Sequence, residues 1–329
     1  MKKISNTTLL IIFVSLAIIA LVFYYLDSRK GERTFRKDLF KVDSAKVTEI
    51  TIHPKGNKPD VISLVKNGTS WDVKFKNKSY PADTSTVKRI LHALTNIEVV
   101  RVSAADQSGW KSLEMTDSAS NRVVVSQGTE TVADLRVGKI SFTRTQYQQY
   151  GGQNVDVKSN IRVKDDDRVY VVEGFLSMMF NDQLSVYRNH LVCRFDKNNL
   201  TKLTFLYPGD SSFQLVRSGA HWLLNNQPAD SSKVESWLAT MANCTGSEYA
   251  DDKTPPVTYP YDLKIEGNNM MGIDIKGSHD PSTKFSFVSS SSNTAALFGG
   301  TSAYLFNQVF PSKSKFLPSR EAPKKGKKK

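Results

Sequence analysis

The chain repeats one sequence pattern at two places, and this repetition limits the folds that it can adopt. Six positions return 153 residues later: Asp43, Val47, Thr48, Ile50, Thr51 and Ile52 become Asp196, Leu200, Thr201, Leu203, Thr204 and Phe205. The segment around Trp71 returns at an offset of 151 around Trp222, and the Pro-Ala-Asp triplet at 81–83 returns at 228–230. Because the offset changes only in turn-like segments, where length changes are tolerated, we expect a duplicated module.

The first part of each copy has the pattern of several strands followed by a helix. Alternating apolar and polar residues predict strands at 47–53, 61–66 and 71–75, with a hairpin turn at Asn67-Gly68. Asp83 is a predicted helix N-cap. One apolar helix face follows the cap, at Val87, Ile90, Leu91, Leu94 and Ile97. The second copy keeps the cap and the phase, with Asp230, Val234, Trp237, Leu238 and Met241.

The second part of each copy predicts more strands and a further helix. In the first copy, strands are predicted at 122–126, 132–137, 161–163 and 169–172, divided by Gly128, Gly138 and the turn 165–167, before a helix at 175–187. In the second copy, strands are predicted at 261–265, 271–275 and 285–289, before an apolar stretch at 304–310. Strict strand–helix alternation is absent. We therefore expect an α+β fold, with tandem modules of antiparallel sheet plus helix at 38–187 and 188–318.

The N-terminus has the features of a membrane anchor. Residues 7–26 carry no formal charge and end in the aromatic sequence Phe-Tyr-Tyr-Leu. Such a helix, at about 1.5 Å per residue, spans a hydrocarbon core of about 30 Å. We predict a cytoplasmic n-region at 1–6, a transmembrane signal anchor at 7–26 and a charged connector at 27–37. A cleaved signal peptide is the alternative.

The orientation of this anchor stays open. The Met-Lys-Lys start is typical of an exported protein, which places the large domain in the periplasm, on the inner membrane. Five cations between 29 and 37 favour the opposite topology by the positive-inside rule.

Positive charge is concentrated at the two ends of the chain. The formal net charge is +13, of which residues 1–38 carry +4 and residues 319–329 carry +5. We predict that 319–329 is a disordered basic tail, and a solvated tail without a partner is the favoured interpretation. The alternative is electrostatic contact of Lys324, Lys325, Lys327, Lys328 and Lys329 with anionic lipid, an acidic polymer or another partner. Because the middle of the chain is close to neutral, nucleic acid is not expected.

The sequence has no recognisable catalytic, cofactor-binding or metal-binding motif. The five histidines are scattered, and the phosphate-loop, dinucleotide and nucleophile-elbow signatures are absent. The aspartates at 165–167 and 251–252 could hold a hard cation, but they lack the spacing of a calcium loop. We interpret them as solvated turns and expect no catalytic residue, no cofactor and no metal.

Several other features have structural interpretations. Cys193 and Cys244 lack zinc-site spacing, and both buried free thiols and a disulfide stay open. Trp71 and Trp222 occupy matching strand positions and are expected to anchor the two cores. The polar run 289–293 is either a mobile loop that faces a partner or an inert loop. The glycines at 299–300 are predicted to form a turn.

A set of motifs connects the chain with a known family. The order of VTEITI, W-x-V, PAD, ADLRVGK, VYVVEG and YRNHLVCRFDKNNLTKLTF, between about Lys37 and Leu317, resembles domain-of-unknown-function family 4340. The resemblance implies one N-terminal transmembrane segment and an extracytoplasmic, duplicated α+β region. Some members are similar in setting to accessory components of gliding-motility-type ABC transporters, which implies an association and no reaction. The family usually has a charged pair near Tyr187-Arg188, where this chain continues with Asn189 and His190.

Together these features predict a non-catalytic, membrane-anchored envelope protein with a binding or scaffold role. It would be accessory to an ABC transporter of the gliding type. The alternative is an anchored binder of acidic polymer or anionic lipid through the basic termini. A hydrolase-like enzyme without a recognisable motif is the third hypothesis.

Overall fold

The structure, a computed structural model, describes residues 15–18, 38–56, 58–146 and 153–318. Two large antiparallel sheets with few helices make up most of it, so the expected α+β class is confirmed in this sheet-rich form. Among the described residues, no helix has the length and apolar character needed to cross a membrane. The predicted anchor at 7–26 lies outside these residues apart from 15–18, which are helical. The predicted segments 1–6, 27–37 and 319–329 lie outside them entirely.

The first sheet has nine strands in the order β4-β3-β2-β1-β6-β7-β8-β9-β5. The strands are β1 Glu49–His53, β2 Ile62–Asn67, β3 Ser70–Phe75, β4 Lys78–Pro81, β5 Val99–Ala104, β6 Asn121–Gln127, β7 Glu130–Gln146, β8 Gln153–Val163 and β9 Val169–Glu173. Helix α1 (Thr84–Thr95) supplies buried residues to the core of this sheet, and the short α2 (Leu176–Met179) follows β9.

The second sheet has eight strands in the order β14-β13-β12-β11-β16-β17-β18-β19, and β10 pairs separately with β15. The strands are β10 Leu191–Arg194, β11 Leu200–Leu206, β12 Phe213–Ser218, β13 His221–Leu224, β14 Gln227–Pro228, β15 Asn243–Thr245, β16 Tyr261–Gly267, β17 Ile273–His279, β18 Ser286–Ser290 and β19 Asn293–Gly300. Helices α3 (Ser231–Met241) and α4 (Tyr304–Val309) contribute to its core.

The two sheets share one strand order over eight strands, and their registers correspond. Ile52 pairs with Val123 on β6, just as Phe205 pairs with Leu263 on β16. Positions in these eight strands can therefore be matched between the two sheets wherever both strands extend.

Both predicted helix caps are confirmed. The Asp83 carboxylate accepts a hydrogen bond from the Thr86 backbone N–H at 2.6 Å, and the Asp230 carboxylate accepts one from the Lys233 N–H at 3.1 Å. Each satisfies a backbone donor that the first turn of a helix leaves unpaired. The apolar stripe that follows each cap is buried, including Val87 in α1 and Val234 in α3.

The predicted helix at 175–187 is wrong, because the segment breaks into α2 and a separate 3₁₀ turn at Leu184–Tyr187. The Asn181 side chain accepts a hydrogen bond from the Gln183 N–H, which offers the backbone an alternative to the helix. The Tyr187 hydroxyl donates to the backbone carbonyls of Met179 and Asn181, both at 2.9 Å. These hydrogen bonds satisfy backbone groups that the interrupted helix leaves unpaired.

Three predicted loops lie wholly or partly within strands. Gly138 lies inside β7 and does not end it. A Cβ there would lie 2.5 Å from the Glu114 carbonyl, so glycine permits a close backbone approach at a register irregularity. The run 289–293 is a tight connection between β18 and β19 in which Asn293 is buried. Gly299 and Gly300 belong to β19 rather than to a turn.

Arg188 joins the two parts of the molecule. Its side chain is 3% exposed and is sandwiched between the rings of Tyr80, at 3.8 Å, and Tyr249, at 3.6 Å. Its guanidinium also pairs with Asp251. Because Tyr80 lies on β4 while the other two partners follow β15, this one cation holds an edge of the first sheet against the second half of the chain.

Candidate functional site

A row of basic side chains crosses four adjacent strands of the first sheet. His53 on β1 lies opposite Arg122 on β6, Arg122 lies opposite Arg136 on β7, and Arg136 lies opposite Arg162 on β8. Residues directly opposite each other on antiparallel strands project from the same face of the sheet. We call these four residues the basic row.

The basic row lies on the face of the sheet that points away from the core. Val123 and Leu135, the strand neighbours of Arg122 and Arg136, are fully buried in that core. Because successive strand residues point to opposite faces, the arginines project outward, where they are half-buried. Like charges directly opposite each other destabilise a sheet, so this arrangement requires compensation.

Two carboxylates compensate part of the row. Arg122 donates from Nε and Nη2 to the two oxygens of Asp134, at 2.8 and 2.5 Å. Arg136 Nη2 lies 2.8 Å from Asp117 Oδ1, whose side chain is 64% exposed. Burial opposes ionisation of Asp134, but the hydrogen bond and charge of Arg122 outweigh it and hold the pKa of Asp134 below its usual range. Arg122 is therefore firmly paired, and Arg136 is paired through a solvent-screened contact.

Arg162 has no such partner. Among the described residues, no carboxylate lies within 4.0 Å of it, and its buried Nε lacks a hydrogen-bond acceptor. Its guanidinium stacks on the Trp110 ring, 3.8 Å from the centroid, and the indole Nε1 of Trp110 donates to the Asp167 carbonyl at 2.8 Å. Burial and, next, the charge of Arg136 lower the pKa of Arg162. Stacking fixes the guanidinium plane and thereby orients its Nη groups for a planar or tetrahedral anion.

A cleft of about 320 Å³ opens over the row. Four cations, three carboxylates and one apolar residue line it: Arg122, Arg136, Arg162 and Lys164, with Asp117, Asp134, Asp165 and Leu135. The lining therefore carries one net positive charge. This volume is enough for one phosphate, sulfate or carboxylate group but small for a drug-sized ligand.

His53 marks the other end of the row. Burial, then the charge of Arg122, lowers the pKa of His53 from its ordinary value of 6.5. The imidazole therefore stays neutral over a wider pH range and does not add a fourth charge to three arginines.

The second sheet shows that the fold does not need this row. Its equivalent positions, traced through the shared register, are Leu206, Asp262, Lys276 and Ser289. They hold one cation, one anion and two neutral side chains. Because the same topology forms with this balanced set, the fold does not require three arginines at these positions.

The lysines predicted as an electrostatic contact, Lys324, Lys325, Lys327, Lys328 and Lys329, lie outside the described residues. The prediction that these termini form the basic surface stays a prediction. The basic row is a separate concentration of positive charge, inside the folded part of the chain.

The two aspartate clusters are only partly the solvated turns that the sequence suggests. Asp166 accepts hydrogen bonds from Arg168 Nε and Nη2, at 2.9 and 2.8 Å, and from the Tyr170 hydroxyl at 2.6 Å. The Arg168 hydrogen bonds are the largest cause that lowers the pKa of Asp166 to about 2. Asp251 is the partner of Arg188. Within the described residues, no group of three His, Cys, Asp or Glu side chains is placed to hold a metal ion.

The two repeat-equivalent tryptophans differ. Trp222 is 1% exposed, as predicted for a core residue, and its Nε1 donates to Glu235 at 3.1 Å. Trp71 packs against the first core but stays partly exposed. The helix position equivalent to Glu235 is Lys88, which cannot accept a hydrogen bond from an indole.

Sequence reasoning alone does not find the basic row. Arg122, Arg136 and Arg162 are separated by 14 and 26 residues and share no local motif. A signal does exist: each arginine adjoins a buried apolar residue in a predicted strand, so alternation assigns all three to an outer face. Only the pairing of the strands places them side by side.

The fold and the site together define a class: a sheet-rich α+β protein with an arginine-lined cleft on the outer face of one sheet. The family model described as a domain of unknown function (DUF4340) matches residues 71–264, which is more than half of the chain. The chain belongs to this family. A comparison with curated proteins and one with solved structures gave no significant match.

Proposed function

We propose that this protein is a non-catalytic envelope protein, anchored in the inner membrane by residues 7–26, that binds a partner through an anionic group held by the basic row. The periplasmic placement of the large domain and the origin of its two sheets by duplication belong to the same proposal. The shared strand order and register of the two sheets support the duplication. The uncharged run of the N-terminus supports the anchor.

One observation carries the binding role. Arg162 is stacked on Trp110, faces Arg136 and has an unsatisfied Nε, while the equivalent position of the second sheet is Ser289. An anion held by the Nη groups of Arg162, between the arginines, would screen the repulsion across β7 and β8. A guanidinium pair of this kind suits phosphate and carboxylate better than it suits a neutral ligand.

Titration calorimetry with the full chain in detergent tests the proposal. The probes are inorganic phosphate and acetate, each compared with chloride at equal ionic strength. The variant Arg162→Gln removes the unpaired cation, and Lys276→Gln removes one charge at the position of the second sheet equivalent to Arg136. We expect wild type and Lys276→Gln to bind phosphate or acetate with matching affinity, and Arg162→Gln to lose at least tenfold. Equal binding by all three, or no binding by wild type, would refute an anion site at the row.

The source of the anion can be separated in the same experiment. Vesicles of anionic phospholipid present phosphate on a surface, whereas polyglutamate presents carboxylates on a polymer. Binding of vesicles that requires Arg162 indicates a lipid headgroup, and binding of polyglutamate alone indicates an acidic polymer. Truncation of residues 320–329 tests the basic tail independently. A loss that follows the truncation and not Arg162→Gln would favour the electrostatic tail over the row.

An association with an ABC transporter of the gliding type is the second part of this proposal, and it comes from the setting of similar proteins. Purification from detergent-solubilised membranes with identification of co-purifying proteins tests it. We expect transporter subunits to be enriched over an unrelated single-span control, and an equal background in both would remove the association. An enzymatic role is the third candidate, and no contact described above favours it.

A further inference from the structure

Cys193 and Cys244 lie directly opposite each other. Cys193 is on β10, Cys244 is on β15, and they are register partners in this antiparallel pair. Both are free thiols, with exposures of 0% and 1%. The two side chains therefore share one buried face of a two-stranded ribbon.

This placement fits the geometry of a disulfide. Directly opposite residues in an antiparallel pair have Cα atoms about 4.5–5.5 Å apart, and a disulfide requires about 4.4–6.8 Å. The Cβ atoms of such a pair lie about 4.5–5.5 Å apart, against about 3.5–4.5 Å in a disulfide, so closure requires only a small local shift. The register irregularity between Leu191 and Cys193 is the place where the ribbon can supply that shift.

The thiols interact with their surroundings as reduced groups. Cys193 Sγ donates to the Met241 carbonyl at 3.2 Å. The hydrogen bond to Cys244 and, next, burial raise the pKa of the Cys193 thiol. As long as the ribbon stays closed, Cys193 is therefore a poor nucleophile toward dissolved reagents.

The ribbon connects the two segments that surround Arg188. On one side, β10 begins three residues after Arg188, and the Asn189 carbonyl accepts hydrogen bonds from the Tyr249 hydroxyl, at 3.1 Å, and from Asn293 Nδ2, at 2.7 Å. On the other side, β15 leads directly into the segment that carries Tyr249 and Asp251. A covalent link across the ribbon would fix these two segments at the place where the halves of the molecule meet.

We propose that Cys193 and Cys244 form an intramolecular disulfide that locks this junction. The oxidant is another disulfide, either of a small thiol such as glutathione or of a protein disulfide donor. The thiolate of one cysteine attacks it and releases one thiol, and the second cysteine then attacks the mixed disulfide and releases the other. Two protein thiols are oxidised, one disulfide is reduced to two thiols, and the two protein protons pass to the released thiolates.

Burial sets the order of events. Because both sulfurs are enclosed, the reaction proceeds while the ribbon is open, either before folding is complete or during a local opening. The linked cysteines then stay protected from reduction by the same burial. The proposal does not depend on the basic row and stands or falls separately from it.

Mass spectrometry of the full chain tests the disulfide. The protein is unfolded with 6 M urea in glutathione disulfide and glutathione, refolded in the same mixture, quenched with acid, and alkylated under denaturing conditions. We expect no alkylation, a monomer on a non-reducing gel, and a peptide that contains both Cys193 and Cys244. A matched sample refolded with dithiothreitol should take up two alkyl groups and melt at a lower temperature.

Two variants complete the design. Cys193→Ala and Cys244→Ala each leave one thiol, which should carry an alkyl group or, after oxidative refolding, a mixed disulfide with glutathione, and neither variant should be stabilised by oxidative refolding. Two alkylated thiols in the wild-type protein after oxidative refolding would overturn the proposal. A linkage between two chains, or a mixed disulfide with glutathione at each cysteine, would overturn it as well, and all three results are read from the wild type alone.

Discussion

Arg136 and Arg162 lie directly opposite each other across β7 and β8, on the face of the sheet that points away from its core. Asp117 pairs with Arg136 from an exposed position, and Trp110 stacks on Arg162. These two facing cations repel each other. The contacts with Asp117 and Trp110 leave the positive charge of Arg162 without a counter-charge. The equivalent pair in the second sheet, Lys276 and Ser289, has one charge instead of two. This difference between two sheets of one topology is the basis of the binding proposal.

Replacement of Trp110 should weaken anion binding without any change in formal charge. Trp110→Leu removes the ring that fixes the Arg162 guanidinium plane, so binding must order that side chain. We expect a phosphate affinity about 2- to 5-fold lower, in line with an exposed cation–π contact of about 0.5–1 kcal/mol. Calorimetry measures it, and Trp110→Phe, which keeps a stacking ring, should retain most of the affinity. Equal affinities for the leucine variant and wild type would contradict a positioning role for Trp110.

His53 should make the stability of the protein depend on pH. Its folded pKa is lowered by burial and by Arg122, so the unfolded chain, with a value of 6.5, takes up the proton first. Acidification below that value therefore lowers the free energy of unfolding. The loss is complete once the pH has fallen below the folded pKa of His53. We expect wild type to lose more stability than His53→Gln between about pH 7 and pH 5. His221→Gln, at an exposed strand position, is the control for the loss of a histidine.

The same histidine gives a spectroscopic readout. A bound phosphate offsets the charge of the arginines, and should therefore raise the pKa of His53 toward its ordinary value. Titration of the imidazole by NMR, with and without phosphate, measures this shift. A pKa that is the same in both conditions would place the anion away from the row.

Loss of the Asp251 carboxylate should destabilise the junction. Asp251→Asn leaves the Arg188 guanidinium buried between two tyrosines without its counter-charge. We expect a loss of about 2 kcal/mol in the free energy of unfolding, below the full cost of breaking a buried pair because Asp251 is itself partly exposed. Urea denaturation measures it.

The matched control for the junction is the neighbouring residue. Asp252→Asn removes an equal charge, but Asp252 is 74% exposed and forms an ion pair only with Lys253 among the described residues. We expect a change below about 0.5 kcal/mol. If the two variants lost equal stability, Arg188 would not depend on Asp251.

The two halves differ at one helix position, which holds Glu235 in α3 and Lys88 in α1, and substitutions there test its role. Glu235 accepts hydrogen bonds from Arg217 at 2.9 Å and from Trp222 at 3.1 Å. Glu235→Ala should therefore cost about 1–2 kcal/mol. Lys88→Glu in α1 places an acceptor at the helix position equivalent to Glu235 and should stabilise the protein by about 0.5 kcal/mol. Urea denaturation measures the free energy of unfolding of both variants. A destabilising Lys88→Glu would show that the surroundings of Trp71 and Trp222 do not correspond.

Local sequence patterns predict the elements that are stabilised locally. The caps Asp83 and Asp230, and the apolar stripes behind them, are confirmed because cap and stripe both act within a few residues. Strands β1, β2 and β3 appear close to their predicted bounds for the same reason. The helix at 175–187 fails because Tyr187 and Asn181 bind backbone groups that the helix would have used.

Features that depend on contacts between distant residues cannot be predicted from local sequence patterns. Strands β5 and β19 were missed, and β5 is held mainly by its pairing with β9, far along the chain. The sequence predicts that Gly138 ends a strand. The close contact with the Glu114 carbonyl, which accounts for this glycine, is a tertiary feature that no local pattern shows. The basic row needs the register of three strand pairs at once.

The most direct test of the anion site is the order of stability of wild type and Arg162→Gln, measured by urea denaturation with and without phosphate at fixed ionic strength. Without phosphate, the variant should be as stable as wild type or more stable, because one of two facing charges is gone. With phosphate at about 100 times its dissociation constant, wild type should gain about 2.7 kcal/mol and the variant far less, so that wild type becomes the more stable protein. A variant that is less stable by the same amount in both conditions would show that Arg162 is only structural.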